Sequence, residues 1–301
     1  MLSIIIQEHN EPVEFITKML QQVSKLPFRK EVIIGTSMNT TDFTKKFSPA
    51  TYDYRVVILG DLKSCGAARN AGGLAATGNE LFFLDAHVCF TPKAMLQVLD
   101  TLDRNPNAIV APALQPTEFP SCEQSGGIAY GVHYKFDKEP FQWTWFPATR
   151  QDKEFPVPFV CGCMFSIKKP IFNKLIAHGG FLSTHRGLSW EEEKCMRLWR
   201  LGIPSLTEPR AVFGHYFKGY PGHTNKGPFD IIDWHKSFAV GAYINIFDPV
   251  VWEYVNRISE DKWGDDWKSA MVYAKKNFSW LRAMMMSYHT KIDEGWFLLK
   301  P

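Results

Sequence analysis

No apolar run in this chain approaches the roughly 20 residues that a helix needs to cross a bilayer. The opening MLSIIIQEHNEP has no basic leader followed by a small-residue cleavage site. It reads as a first core strand, and the protein is expected to be cytoplasmic and without a membrane span. The six cysteines (65, 89, 122, 161, 163 and 195) show no paired CxxC spacing. They are expected as small apolar core residues in a reducing compartment. Cys161 and Cys163 form a CxC whose side chains would share one side of a strand, so a metal or redox pair stays open there. A net charge of +3 is too small to argue for nucleic acid or an acidic membrane. There are no repeats and no low-complexity segment. What is present is ordinary globular composition over 301 residues, 45% hydrophobic and 22% charged, enough for one sizeable core or two modest ones. Aromatics reach 14%, which suits a walled cleft.

The first third alternates between two hydrophobic periods. LSIII (2–6), EVII (31–34), YRVVIL (54–59), ELFFLDAH (80–87) and AIVAPAL (108–114) read as strands. EPVEFITKMLQQVSKL (11–26) has helical spacing at Val13, Ile16, Leu20 and Val23. AARNAGGLAAT (67–77), rich in small residues, is predicted to be a helix packed closely on a sheet. TPKAMLQVLDTL (91–102) opens with Thr91 as N-cap and Pro92 at the first helical position. Such alternation predicts an α/β fold, a Rossmann-like, mostly parallel sheet flanked by helices. Ligands of these sheets sit beyond the carboxyl ends of the strands.

Residues 115 to 157 read as loops with short strands, and FVCGCMFSIKK (159–169) returns to strand character before a helix near 170–177. SWEEEKCMRLWRLG (189–202) is predicted helical, with Ser189 as N-cap, Glu192 completing a capping box and Gly202 beyond the end. From about 228 onward the pattern is helical and Trp-rich. The expected organisation is a catalytic domain over 1–227, halved near 114, with a helical C-terminal extension over 228–301.

On a strand, residues two apart point to the same side, so Asp85 and His87 are expected to converge while Ala86 points away. A carboxylate oxygen and an imidazole nitrogen make two ligands for a divalent ion of the Mn²⁺ type. A strand-end turn with a solvated histidine is the alternative. Such a strand end suits a nucleotide-sugar transferase, where a metal bridges the donor diphosphate and neutralises charge on the leaving group.

Three segments, SIIIQEHNEP, GAARNAGGLAATGNELFFLDAHV and GCMFSIKKPIFNKL with WEEEKCMRLWRLGIPS, resemble the GT-A fold glycosyltransferases of the family 2 type. The Asp-x-His of LDAH is closer still to the polypeptide N-acetylgalactosaminyltransferases. The resemblance covers roughly residues 2 to 220. It implies a third metal ligand at His215, in FGHYFK, where Lys218 replaces the family's Arg. It places His9 and Asn10 beside the nucleotide, and Arg69 near the donor phosphates with Asp85. Relatives end the second strand with paired aspartates that help hold the nucleoside; here Thr36 and Ser37 stand there. Inverting relatives deprotonate the acceptor hydroxyl with an Asp at the position of Glu191, the candidate base here, whereas retaining relatives carry Asn.

Trp190, Glu193 and Lys218 are assigned to the substrate pocket, although Glu193 is also spaced to pair with Arg197 one turn on. KGYPGHTNKG (218–227) is expected to be a loop that closes over the donor. The implied cofactors are Mn²⁺ or Mg²⁺ and a nucleotide-sugar, UDP-linked. The acceptor is a protein or glycan, with hydroxymethylated DNA bases as an alternative. A metal-dependent hydrolase and a non-catalytic sugar-nucleotide binder are the competing classes.

Overall fold

The computed structural model describes residues 1–46, 52–135, 140–146, 151–182, 193–217, 231–288 and 298–299. Among these, a nine-stranded sheet runs in the order β3-β2-β1-β4-β10-β6-β11-β5, with β9 (Phe155–Pro156) also paired to β11. Strands β1 (Leu2–Glu8), β2 (Lys30–Thr36), β3 (Arg55–Leu59) and β4 (Glu80–Asp85) are mutually parallel. β10 (Met164–Lys168) is antiparallel to both β4 and β6 (Ile109–Pro116), so β6 returns to the direction of β4. β11 (Ser205–His215) follows β6 in parallel, and the short β5 (Val88–Cys89) closes the edge antiparallel to β11. The predicted mostly parallel sheet is therefore present.

Its central strands β1, β2 and β4 are rich in β-branched or aromatic residues and buried on both faces, as in a sheet covered on both sides. In β1, Ile4 and Ile6 enter one core while Ile5 enters the other, following the period of two. Helix α1 (Val13–Ser24) buries Phe15, Ile16, Met19, Leu20 and Val23 along one stripe. Helix α4 (Pro92–Arg104) starts as predicted: the Thr91 side chain accepts from the Ala94 amide at 3.2 Å, with Pro92 at the start. Helix α3 (Cys65–Ala75) owes its close approach to glycine. A Cβ at Gly72 would lie 2.5 Å from Ile5 Cγ2, and one at Gly73 only 2.3 Å from Phe172 Cζ.

The second half departs from the simple alternation. The strand predicted over 159–169 is confined to β10; the sulfurs of Cys161 and Cys163 still approach to 3.4 Å, through a turn rather than along a pleat. Helix α5 (Lys169–Ala177) follows directly. β7 (Val132–Lys135) and β8 (Gln142–Trp145) form a small sheet with β12 (Leu298–Leu299). Helices α7 (Ile231–Asn245), α8 (Pro249–Trp263) and α9 (Asp265–Met286) share one core with the main sheet, centred on the fully buried Trp267.

Two cysteines correct the expectation of six reduced core thiols. Cys89 and Cys122 form a disulfide that ties β5 to the loop after β6. Cys163 and Cys195 are buried, while Cys65 and Cys161 are half-buried. No described helix is long and apolar enough to cross a membrane.

Candidate active site

The carboxyl ends of β1 and β4 lie side by side, with Gln7 paired in register to Asp85. Strand β4 stops at Asp85, which corrects the strand predicted over 80–87. Ala86 and His87 form a turn that feeds β5, and β5 pairs with the end of β11, where His215 faces Val88. His87 therefore reaches Asp85 through a turn and not through strand alternation. The Tyr216 amide donates to the His87 carbonyl at 3.2 Å, holding the two histidine segments together.

The three side chains expected as ligands meet. One ligand atom from each of Asp85, His87 and His215 lies within 4.8 Å of the others. His215 Nε2 stands 3.3 Å and His87 Nε2 3.9 Å from Asp85 Oδ2. On an octahedral ion with bonds of roughly 2.1 Å, neighbouring ligand atoms stand roughly 3 Å apart. The Asp85–His215 pair stands close to that spacing and the Asp85–His87 pair wider, and a hard carboxylate oxygen with two imidazole nitrogens is a donor set for a divalent ion of the Mn²⁺ type. Burial alone would raise the Asp85 pKa. The hydrogen bond from His215 and the charges of His87, His215 and Arg69 outweigh it and hold the carboxyl below its usual range. The residue is thus kept as an anion in a largely enclosed site.

Arg69, expected near donor phosphates, is buried. It donates to the Gly162 carbonyl at 2.7 Å and lies 3.9 Å from Asp85 Oδ1. Its charge is directed at the Asp85 carboxylate. His9 and Asn10 are exposed just past β1, with Asn10 at φ +55° turning the chain towards α1. Thr36 is buried and donates to Glu8 Oε2, so the end of β2 carries an internal hydrogen bond where relatives have acids. Phe217 packs on His215 at 4.4 Å and faces Trp145 at 6.2 Å, forming an aromatic wall.

Glu193, assigned from the sequence to the substrate pocket, is instead occupied internally. In α6 (Glu193–Arg200) both its oxygens accept from Arg197, at 2.6 and 2.7 Å, and Asn245 Nδ2 adds a bond at 2.8 Å. That is the alternative pairing the spacing allowed. Trp190, Glu191, Lys218 and the predicted closing loop lie outside the described residues.

Sequence reasoning missed two residues. Gln7 Nε2 donates to Asp85 Oδ1, and Glu11 Oε1 stands 3.2 Å from His87 Nδ1. The available signal was a polar run, Gln7 to Glu11, directly after three isoleucines.

The mostly parallel sheet, with an Asp-His-His cluster at its carboxyl edge, has the GT-A fold. Residues 3–176 match the model of glycosyl transferase family 2, and the chain belongs to that family. Polypeptide N-acetylgalactosaminyltransferase 3 of Taeniopygia guttata is 25% identical over 303 residues, covering 92% of this chain and 49% of that protein. An uncharacterized glycosyltransferase of Haemophilus influenzae is 32% identical over 112 residues, 36% of each chain. The chain spans about half the length, or less, of the curated N-acetylgalactosaminyltransferase 3 relatives it matches. Among solved structures, GalNAc-T7 with UDP, GalNAc and Mn²⁺ superposes with a TM-score of 0.70 at 15% identity, over 95% of this chain and 57% of that one. A mannosyltransferase from Pyrobaculum calidifontis with GDP-Man and Mn²⁺ gives 0.53 at 13% identity, over 95% and 78%.

Proposed function

We propose that this glycosyltransferase is metal-dependent and moves a sugar from a UDP-sugar to a hydroxyl of a protein or glycan acceptor. One observation carries the reading: Asp85, His87 and His215 converge at the strand ends where such sheets bind ligands. A bound Mn²⁺ or Mg²⁺ would neutralise charge developing on the diphosphate leaving group. Asp85, His87 and His215 would hold it, leaving other positions to phosphate oxygens. His9 and Asn10, exposed just past β1, are assigned to the nucleotide. Arg69 acts from beneath, offsetting part of the Asp85 charge. The UDP assignment and the protein acceptor rest on the transferases named above, two of which are solved with nucleotide and Mn²⁺.

Glu191 is the proposed base, with Trp190 and Lys218 lining the pocket. A carboxylate there deprotonates the acceptor hydroxyl for direct, inverting displacement. Glu191→Gln is then expected to abolish turnover while leaving donor affinity intact; an active variant, or a product with retained anomeric configuration, removes Glu191 from this role. The Cys89–Cys122 disulfide favours an oxidising compartment over the cytoplasm.

The central test is calorimetric titration of UDP with and without Mn²⁺, followed by a nucleotide-sugar panel scored for slow donor hydrolysis. Metal-dependent UDP binding, lost in Asp85→Asn and His215→Ala, is the expected result. Equal binding with and without metal in the unmodified protein refutes the metal role.

A further inference from the structure

The polar run after β1 touches the ligand cluster at two points. Gln7 Nε2 donates to Oδ1 of Asp85, while Oδ2 of the same carboxylate faces both histidines. The two oxygens are thus divided between an internal anchor and the site. Glu11, whose side chain is buried, sets Oε1 3.2 Å from His87 Nδ1, on the opposite edge of the ring from Nε2. The segment between them is itself pinned. Glu8 Oε1 accepts from the Glu11 amide at 2.8 Å, Glu8 Oε2 accepts from Thr36, and Thr36 Oγ1 accepts from the Met38 amide at 3.0 Å.

A neutral imidazole carries one N–H and one lone pair, and its hydrogen-bond partners decide which nitrogen has which. At 3.2 Å the Glu11 carboxylate makes a charge contact with Nδ1 rather than an aligned hydrogen bond, and its negative charge favours the Nδ1–H form. The Nε2 lone pair then points into the cluster, where a cation needs it. Outer partners of this kind orient metal ligands, and their loss costs roughly 10–100-fold in metal affinity.

We propose that Gln7 and Glu11 are positioning residues of the cation site. Gln7 selects the oxygen that Asp85 presents, and Glu11 fixes the tautomer and ring plane of His87. This rests on the metal reading of Asp85, His87 and His215. It goes further in making the β1–α1 turn, and not the strand ends alone, responsible for cation affinity.

Two measurements test this separately. First, ¹⁵N-histidine NMR of the metal-free protein at pH 8, with His87 assigned by comparison with His87→Gln, reads the tautomer directly. The unmodified protein is expected to show His87 as Nδ1–H, and Glu11→Ala to shift it towards Nε2–H. An Nε2–H form in the unmodified protein overturns the Glu11 role, whatever the metal does.

Second, titration with Mn²⁺ followed by the EPR signal of free ion gives the affinity. Glu11→Ala is expected to weaken it roughly 10–100-fold and Gln7→Met roughly 10-fold. Glu11→Gln keeps the side-chain volume and an acceptor oxygen, so it should retain the tautomer and fall between Glu11→Ala and the unmodified protein. A role confined to packing would leave Glu11→Gln at full affinity, and that result overturns the proposal. If the unmodified protein takes up no Mn²⁺, the metal reading fails, while the tautomer experiment still decides what Glu11 does.

Discussion

Replacing Arg197 by Met separates a structural from a substrate-binding role for Glu193. Arg197 is fully buried. It donates to both Glu193 oxygens, to the His178 carbonyl at 2.6 Å and to the Gly180 carbonyl at 2.6 Å. Methionine fills much of the volume but leaves the Glu193 carboxylate buried without its cation. Breaking a buried pair from one side costs about 3–5 kcal/mol. With a Tm change of roughly 2–4 °C per kcal/mol in a chain of this order of size, the expected loss is roughly 10 °C.

The paired change Glu193→Leu with Arg197→Met removes both charges and should recover part of this. It should not recover all, because two buried carbonyls lose their donor at about 1–3 kcal/mol each. Scanning calorimetry or urea unfolding of the two single variants and the double variant reads the cycle. If Arg197→Met and Glu193→Leu each move Tm by less than about 2 °C, below one kcal/mol on that scale, and instead raise KM for donor or acceptor, the structural assignment is wrong. Glu193 would then belong to the pocket, as its place beside Trp190 and Glu191 in the sequence suggested.

Two further outcomes follow from buried groups. Burial pushes the His133 imidazole down from 6.5 to about 4. Its folded value lies below its unfolded one, so its contribution is complete above about pH 6.5 and is lost as pH falls towards 4. The difference is worth about 3 kcal/mol. Unfolding of the metal-free protein at pH 7.5 and 4.5 should therefore show a smaller acid loss for His133→Phe than for the unmodified chain; equal losses discard the assignment. Gly73→Ala gains up to about 1 kcal/mol of helix propensity but drives a methyl into Phe172, which is fully buried beside Phe83 and Phe181. Overpacking of about 1–3 kcal/mol should win, and a more stable variant in urea would show that Phe172 yields.

Much of the first half was legible because its signals are local. Ile16, Leu20 and Val23 mark the buried face of α1 by spacing alone, although Val13, read with them, is exposed, and Thr91-Pro92 announces α4 by capping chemistry. The glycines of α3 were readable as close packing, though not which side chains they admit. Ile5 and Phe172 come from distant elements. Strand alternation predicts that Asp85 and His87 converge, and they do, but through a turn that follows the end of β4. The disulfide was missed because Cys89 and Cys122 are 33 residues apart and no spacing rule links them.

By itself the sequence determined the element types, the parallel character of the first sheet half and the residue types able to hold a cation. Those depend on periodicity, capping and donor chemistry, all written within a few residues of one another. Only the tertiary structure decided what surrounds those residues: Gln7 on Asp85, Glu11 on His87, Arg69 beneath Asp85, and Glu193 consumed by Arg197. Each contact joins elements whose separation is set by sheet order and helix packing, and the partner of a buried polar group is known only once those layers close.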